Sequence, residues 1–266
     1  MSRLEDRGLA SIGPVESPCC KTNITEPARN YNTSRGSLVS SFLLSQSSHP
    51  LEDEVGKIVP EDANYAGFNL LLFAPSPSLE VDRSDASSMP IHYDALLVTN
   101  HGGGGTLTSR PFLPNERVCG GISNGVDGAG ADPWPKVQHA TQDFGDAVRG
   151  LPAGASEAEL TEHLFNLLAW HPPQAIVHRS ELRNTVHVLP VPIILDGPAS
   201  THPTPSYYGT RLSTVLLVRK DGEAVFIERD IWQLEKDEDG KERPVRSDPP
   251  TERRFRFKLQ LDGSVT

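Results

Sequence analysis

Apolar residues in this chain gather in short runs separated by long polar stretches, and the spacing within each run predicts its structure. In SRGSLVSSFLLS, Leu38, Val39, Phe42 and Leu43 recur at helical intervals. FNLLLFA (68–74) and YDALLVT (93–99) are compact apolar runs bounded by turn residues, which predicts two buried strands, and PSPSLEVDRSDASSMP between them is a loop by composition. DPWPKVQHATQDFGDAVRGL predicts a helix capped by Asp132, with Pro133 in its first turn and Val137, Ala140, Phe144 and Val148 on one face. A second helix follows, with Ser156 and Glu159 as a capping box and Leu160, Leu164, Leu167 and Leu168 as its apolar stripe.

LSTVLLVRKDGEAVFIERD predicts a hairpin, because two β-rich runs flank Asp221-Gly222, a dipeptide that tolerates a tight turn. The charged stretch EKDEDGKERPVRSDPPTER reads as a loop, and the alternation in RFRFKLQL marks a half-exposed last strand. Residues 1 to about 32 follow no assignable period, and no internal repeat is present. Strands, two helices and strands again suit an α+β layered fold better than regular βαβ alternation.

The chain has 266 residues, enough for one sizeable core, and its 22 glycines and 23 prolines point to long loops rather than a helical bundle. A formal net charge of −10 argues against nucleic acid and against an anionic membrane, since both select a basic face. Three cysteines, Cys19, Cys20 and Cys119, are too few and too poorly spaced for a disulfide framework or a zinc site. No window reaches the ~18 apolar residues of a membrane-spanning helix. MSRLEDRGLASIG lacks the apolar region of a signal peptide, so a soluble, cytoplasmic protein is expected.

One stretch spells catalysis. His101-Gly102-Gly103-Gly104 has the letters of an esterase oxyanion-hole segment, and Gly121-Ile122-Ser123-Asn124-Gly125 those of a nucleophile elbow. ERVCGGIS offers a strand before the serine, but NGVDGAGADPWP after it predicts no helix, and the elbow needs both. Only eighteen residues separate Gly104 from Ser123, too few for a helix of ordinary length, a strand and their turns. Asp196 and His202 stand in the right order for a triad, yet nothing in the sequence ties them to Ser123. GGGGTLTSR also lacks the lysine and helix of a phosphate-binding loop. Its glycines read as a turn where backbones pass closely, or as amides lining a ligand site. His139 and His163 are read without a metal-ligand partner at i+4, as surface or core histidines, and Cys119 reads as buried and inert. Arg253, Arg254, Arg256 and Lys258 alternate with Phe255 and Phe257, a pattern that guards an edge strand.

SRGSLVSSFL, YAGFNLLLF, LLVTN, GISNG, WPKV and YGTRLSTVLLV occur in this order, from about residue 21 to 230. Together they resemble the NRDE family, also known as the transport and Golgi organisation protein 2 family. TNITEP (22–27) looks like a diverged form of the segment that precedes SRG there. The resemblance implies an α+β, four-layer αββα sandwich similar to that of N-terminal nucleophile hydrolases, here expected to be incomplete at the N-terminus. It implies a poorly ordered segment over 1–20 and a single domain over 21–266, with loops at 75–90 and 234–252.

Family members typically begin Met-Cys on an apolar strand and carry Asn-Arg-Asp-Glu soon after, whereas this chain begins Met-Ser and contains no such tetrapeptide. SRLEDRG is too charged to predict a core strand that would position Ser2 as a nucleophile. A non-catalytic member is therefore expected, with roles in Golgi organisation, protein secretion and lipid or haem homeostasis implied by the resemblance. The alternative is an amide-bond hydrolase of the N-terminal nucleophile type whose true start lies upstream. No cofactor or metal site is evident. Haem, acyl-CoA or a small hydrophobic ligand, and Golgi or mitochondrial association, follow from the resemblance alone. The family motifs carry over to Arg35, Gly36, Asn69, Asn100, Ser123, Asn124, Tyr208, Gly209, Thr210 and Arg211. These residues either line a pocket or cap turns.

Overall fold

Every second side chain of a half-buried strand must find a partner on the same face, and FNLLLFA meets this demand with Phe68, Leu70 and Leu72, all at 0% exposure. In a computed structural model, which describes residues 19–27, 29–45, 50–60, 63–76, 92–130, 133–193 and 206–259, this run is the second strand of an antiparallel sheet. The order is β1 (Cys19–Asn23), β2 (Phe68–Pro75), β3 (Tyr93–Thr99), β4 (Thr108–Pro111). Lys21, Leu70, Val98 and Ser109 lie side by side across it. The described residues divide into two compact units, one drawn from 1–132, 218–224 and 257–266, the other from 133–217 and 225–256.

In the first unit two short helices cover the Leu70 face. α1 (Gly36–Leu43) contributes Leu38 and Phe42 one turn apart, and α2 (Leu51–Ile58) contributes Leu51, Val55 and Ile58. Helices of eight residues do not hold alone in water, so burial of these faces, about 1.5–3 kcal/mol per large side chain, keeps them wound. Glu52, Asp53 and Glu54 at the start of α2 and Lys57 at its end suit the helix dipole. Glu54 is buried at 3% exposure, where Ser45 donates to it at 2.7 Å and Lys57 pairs with it at 2.9 Å. α2 and β1 are elements the polarity of their sequences concealed.

α3 (Pro114–Val118) replaces the strand expected from ERVCGGIS. Pro114 opens it, and the Glu116 carboxylate accepts from the Leu113 amide at 2.7 Å. Cys119 just beyond is half-buried rather than buried, beside Val118, which is 82% exposed.

In the second unit α4 (Pro135–Gly150) packs beside α5 (Glu157–Leu168). α4 starts at Pro135, two residues later than Pro133 suggested, while Asp132 lies outside the described residues. Its expected apolar face is only half-buried, with Val148 50% exposed. The capping box of α5 forms as expected, with the Glu159 amide donating to Ser156 Oγ at 3.2 Å. Its buried positions are Thr161 and Phe165 rather than the leucines, of which Leu164 and Leu168 pack against the cluster around Phe165.

The hairpin of β7 (Leu212–Val218) and β8 (Glu223–Asp230) turns at Arg219–Gly222, closed by the Arg219 amide on Glu223 O at 2.8 Å. Of Asp221 and Gly222, only the glycine takes a positive φ, +84°. β11 (Glu252–Lys258) pairs with β8 and forms the edge of this three-stranded sheet. Phe165 packs on Val215, Val225 and Ile227 of the sheet. The arginines of the edge are paired: Arg253 with Glu228 and Asp230, Arg254 with Glu157 and Glu252, Arg256 with Glu157. Exposed pairs of this kind contribute little stability, so they guard the edge while the apolar cluster holds the sheet.

Two short hairpins complete the unit, β5 (Val191–Ile193) with β6 (Ser206–Tyr208) and β9 (Trp232–Lys236) with β10 (Glu242–Arg246). The second corrects the loop expected at 234–252: backbone pairing across a turn at Asp237–Lys241 builds strands from residues too charged to signal them. The expected loop at 75–90 and residues 1–18 of the N-terminal segment lie outside the described residues, as do Ser2, Asp196 and His202, while Pro75 and Ser76 are described and Cys19 and Cys20 open β1.

Leu70→Ala is expected to destabilise the first unit by about 2–5 kcal/mol, as a buried leucine deletion does, whereas Val118→Ala stays within about 0.5 kcal/mol. Urea unfolding of both variants checks this.

Candidate functional site

Antiparallel pairing places Thr22, Asn69 and Thr99 abreast at one end of the four-stranded sheet. Here β1 exits, β2 enters and β3 exits, so several backbone groups lose their ladder partners and need substitutes. Glu26 supplies two. Its Oε1 accepts from the Gly67 amide and its Oε2 from the Gly103 amide, both at 2.7 Å, and Tyr31 donates to Oε1 at 3.2 Å. Arg35, placed at the start of α1, donates to Gly67 O at 2.8 Å. Partial burial pushes the Glu26 pKa up. The Gly67 and Gly103 amides, the Tyr31 hydroxyl and the Arg35 charge outweigh this and hold the carboxyl below its ordinary range.

Both donors are closely packed. A Cβ on Gly67 would lie 2.8 Å from the Ile24 side chain, and one on Gly103 would overlap the Tyr31 ring and hydroxyl.

The asparagines do similar work. Asn100 Oδ1 accepts from the Phe68 amide at 2.9 Å, and its Nδ2 donates to Ala66 O at 3.2 Å. Asn69 Nδ2 donates to Gly125 O at 2.8 Å and Ser123 O at 3.1 Å, and Thr22 Oγ1 donates to the same Ser123 carbonyl at 3.0 Å. The Thr25 amide donates to Asn124 O at 2.8 Å, and Asn124 Nδ2 donates to Thr25 Oγ1. Arg110 fixes the far side of this turn, gripping Glu116 and Asp127 with paired bonds of 2.8 and 2.9 Å. Gly36 sits apart from these exchanges, its amide donating to Ser34 Oγ as α1 begins.

Ser123 Oγ donates to Asn124 Oδ1 at 3.0 Å, and the turn that follows leads to no helix before Pro135. All four amides of the glycine run are engaged: Gly102 with Asn100 Oδ1 at 3.4 Å, Gly103 with Glu26, Gly104 with Tyr65 O at 3.3 Å and Gly105 with Gly102 O at 2.9 Å. An oxyanion hole needs amides left free for the reacting oxygen. His101, at φ +53°, turns its Nε2 to Thr108 Oγ1 at 2.7 Å.

Tyr208 to Arg211 belong to the second unit. The Thr210 amide donates to Val188 O and its hydroxyl accepts from the Val188 amide, at 2.8 and 2.9 Å. Gly209 passes so close to Pro190 that a Cβ would lie 3.1 Å from its Cα. Arg211 O accepts from the Ile231 and Trp232 amides at 2.7 and 3.1 Å. Gly209 and Arg211 thereby line a half-open pocket of about 120 Å³ with Pro190, Tyr207, Trp232, Gln233, Leu234 and Pro244. Tyr208 stands outside it, 49% exposed.

Behind the pocket, Trp232 Nε1 donates to His187 Nε2 at 3.1 Å. A ring nitrogen that accepts must be unprotonated, so His187 is neutral. Burial lowers its pKa, and the charges of His171 and Arg246 add to that.

His139 Nε2 lies 2.9 Å from Asp143 Oδ2, a carboxylate at i+4 where none was expected, and its ring stacks on Trp170 at 3.8 Å between centroids. Among the described residues, no three His, Cys, Asp or Glu side chains gather as a metal site, and no helix is long and apolar enough to cross a membrane. Glu26 and His187 are the residues that sequence reasoning missed. The only signal for Glu26 was its place in TNITEP; His187 gave none.

A family model described as Transport and Golgi organisation 2 matches residues 19–233. The chain is also similar to a Bos taurus protein, "Transport and Golgi organization protein 2 homolog", with 31% identity over 212 residues, 78% of this chain and 66% of the relative. It thus spans just under two thirds of that relative's length. No solved structure matches.

Folding stability should carry the signature of Glu26. A carboxyl whose pKa is lowered by folding contributes stability above the unfolded value of about 4.3, and that contribution disappears as pH falls through the lower folded value. Glu26→Gln is expected to cost about 1–3 kcal/mol at pH 7 and progressively less as pH falls below about 4.3, measured by urea unfolding across that range.

Proposed function

The chain belongs to the transport and Golgi organisation 2 family, and on that premise we propose that it serves Golgi organisation and protein secretion without catalysis, with lipid or haem homeostasis as its wider role. The observation that carries the non-catalytic reading is the engagement of all four glycine-run amides, alongside a Ser123 hydroxyl directed to an asparagine rather than a base. The motif positions Arg35, Asn69, Asn100, Ser123 and Asn124 act as a brace for the end of the sheet. Two helices on one face of the four-stranded sheet support a sandwich resembling that of N-terminal nucleophile hydrolases, as one helix layer on one sheet layer. The cytoplasmic side of the Golgi, with mitochondria as a second location, is the compartment this role requires.

Haem and acyl-CoA do not fit the pocket beside Trp232. Its volume of about 120 Å³ falls well below the roughly 300–1,000 Å³ of sites that enclose such molecules. No step is therefore routed through either.

A second reading has one observation in its favour. β1 is the outer strand of its sheet among the described residues, and a strand bearing a terminal nucleophile could pair along that edge, as an amide-bond hydrolase of this type requires.

In cells depleted of the protein, Golgi morphology and release of a secreted cargo distinguish the readings. Both should be restored by the wild-type chain and equally by Ser123→Ala. An intact Golgi without the protein contradicts the proposed role, and hydrolysis of an acyl amide by the purified full-length protein contradicts the absence of catalysis.

A further inference from the structure

We propose that the face around Trp232 and Arg211 docks a peptide segment of a partner protein, one presenting an aromatic or leucine side chain beside a carboxylate. This inference does not depend on the Golgi role. The pocket is walled by Tyr207, Trp232, Pro190 and Pro244, and Leu234, which also lines it, is 54% exposed. Exposed apolar surface gathered around a cavity marks an interaction site. The cavity volume of about 120 Å³ suits one ring or branched aliphatic group, the size of an anchor side chain, and is small for a whole organic ligand.

Charge sets the second requirement. Arg211 lines the same pocket, is solvent-exposed, and its guanidinium has no hydrogen-bonded or ionic partner among the described residues. Its planar donor fork matches a carboxylate in two bonds.

The face is also built in advance. Thr210 clamps Val188, Gly209 packs against Pro190, Arg211 O holds the Ile231 and Trp232 amides, and the indole is oriented by its bond to His187. Little ordering entropy then opposes docking. Tyrosine, tryptophan and arginine are the residue types that dominate binding energy at interfaces.

Selection of random heptapeptides displayed on phage against the full chain tests this, followed by fluorescence anisotropy of the selected peptides. Enriched sequences should share phenylalanine, tryptophan, tyrosine or leucine next to aspartate or glutamate. Arg211→Gln and Leu234→Ser should each weaken binding by about tenfold or more, with circular dichroism unchanged. Failure to enrich, or affinity indifferent to Arg211→Gln, overturns the proposal. Phenylpropionate binding as tightly as the peptides would make this a small-molecule site instead. A dimer that Leu234→Ser dissolves would place a second copy of the chain on the face, and either result also overturns it.

Discussion

The Glu26 carboxylate takes one amide on each oxygen, Gly67 at the entry to β2 and Gly103 in the loop after β3, and so closes the end of the four-stranded sheet. An antiparallel meander cannot pair its own ends, and each buried amide or carbonyl left open costs about 1–3 kcal/mol. Side chains must therefore stand in for the missing strand. Asn100 does so for Phe68 and Ala66, and Asn69 for Ser123 and Gly125. Gly67 follows from the same constraint, because a Cβ there would lie 2.8 Å from the Ile24 side chain and 3.1 Å from the Gly102 Cα. What spells an enzyme motif in one dimension is a backbone brace in three.

The second unit solves a different problem. Its apolar cluster is small, Phe165 with Val215, Val225 and Ile227, and Arg229 extends it by lying 3.9 Å over the Phe165 ring while paired with Glu162 and Glu252. That cation–π contact puts a charged residue to work as packing. The segment from Tyr208 to Arg211 spends its backbone on neighbouring strands and leaves the Tyr208 ring and the Arg211 charge exposed. The two groups of family-motif residues thus differ in kind: those of the first unit are consumed internally, and those of the second frame an accessible face.

Legibility followed burial. β2 and β3 were readable because a strand covered on its core face shows apolar residues in a bounded run, and α1 and α5 because their apolar spacing or capping box is local. β1 left no trace: CCKTN is an edge, with polar Lys21 opposite Leu70. α2 hid Leu51, Val55 and Ile58 among four acidic and basic residues in only eight positions. β9 and β10 are held by backbone pairing with few buried side chains, so composition reported a loop. At the site, the resemblance located Asn69, Asn100, Ser123 and Asn124, but not the partners that their side chains meet around the end of the sheet. Glu26 was illegible because its partners lie 41 and 77 residues away, and a carboxylate's function is set by what folding brings to it.

Native-state hydrogen exchange tests most directly whether these residues form one brace. The amides of Thr25, Gly67, Phe68 and Gly103 should be protected in the wild-type protein, and all four should exchange faster together in Asn69→Ala, although Asn69 bonds to none of them. If Asn69→Ala speeds exchange only around Ser123 and Gly125 and leaves the Glu26-bonded amides protected, the residues act separately and the account of a single brace is wrong.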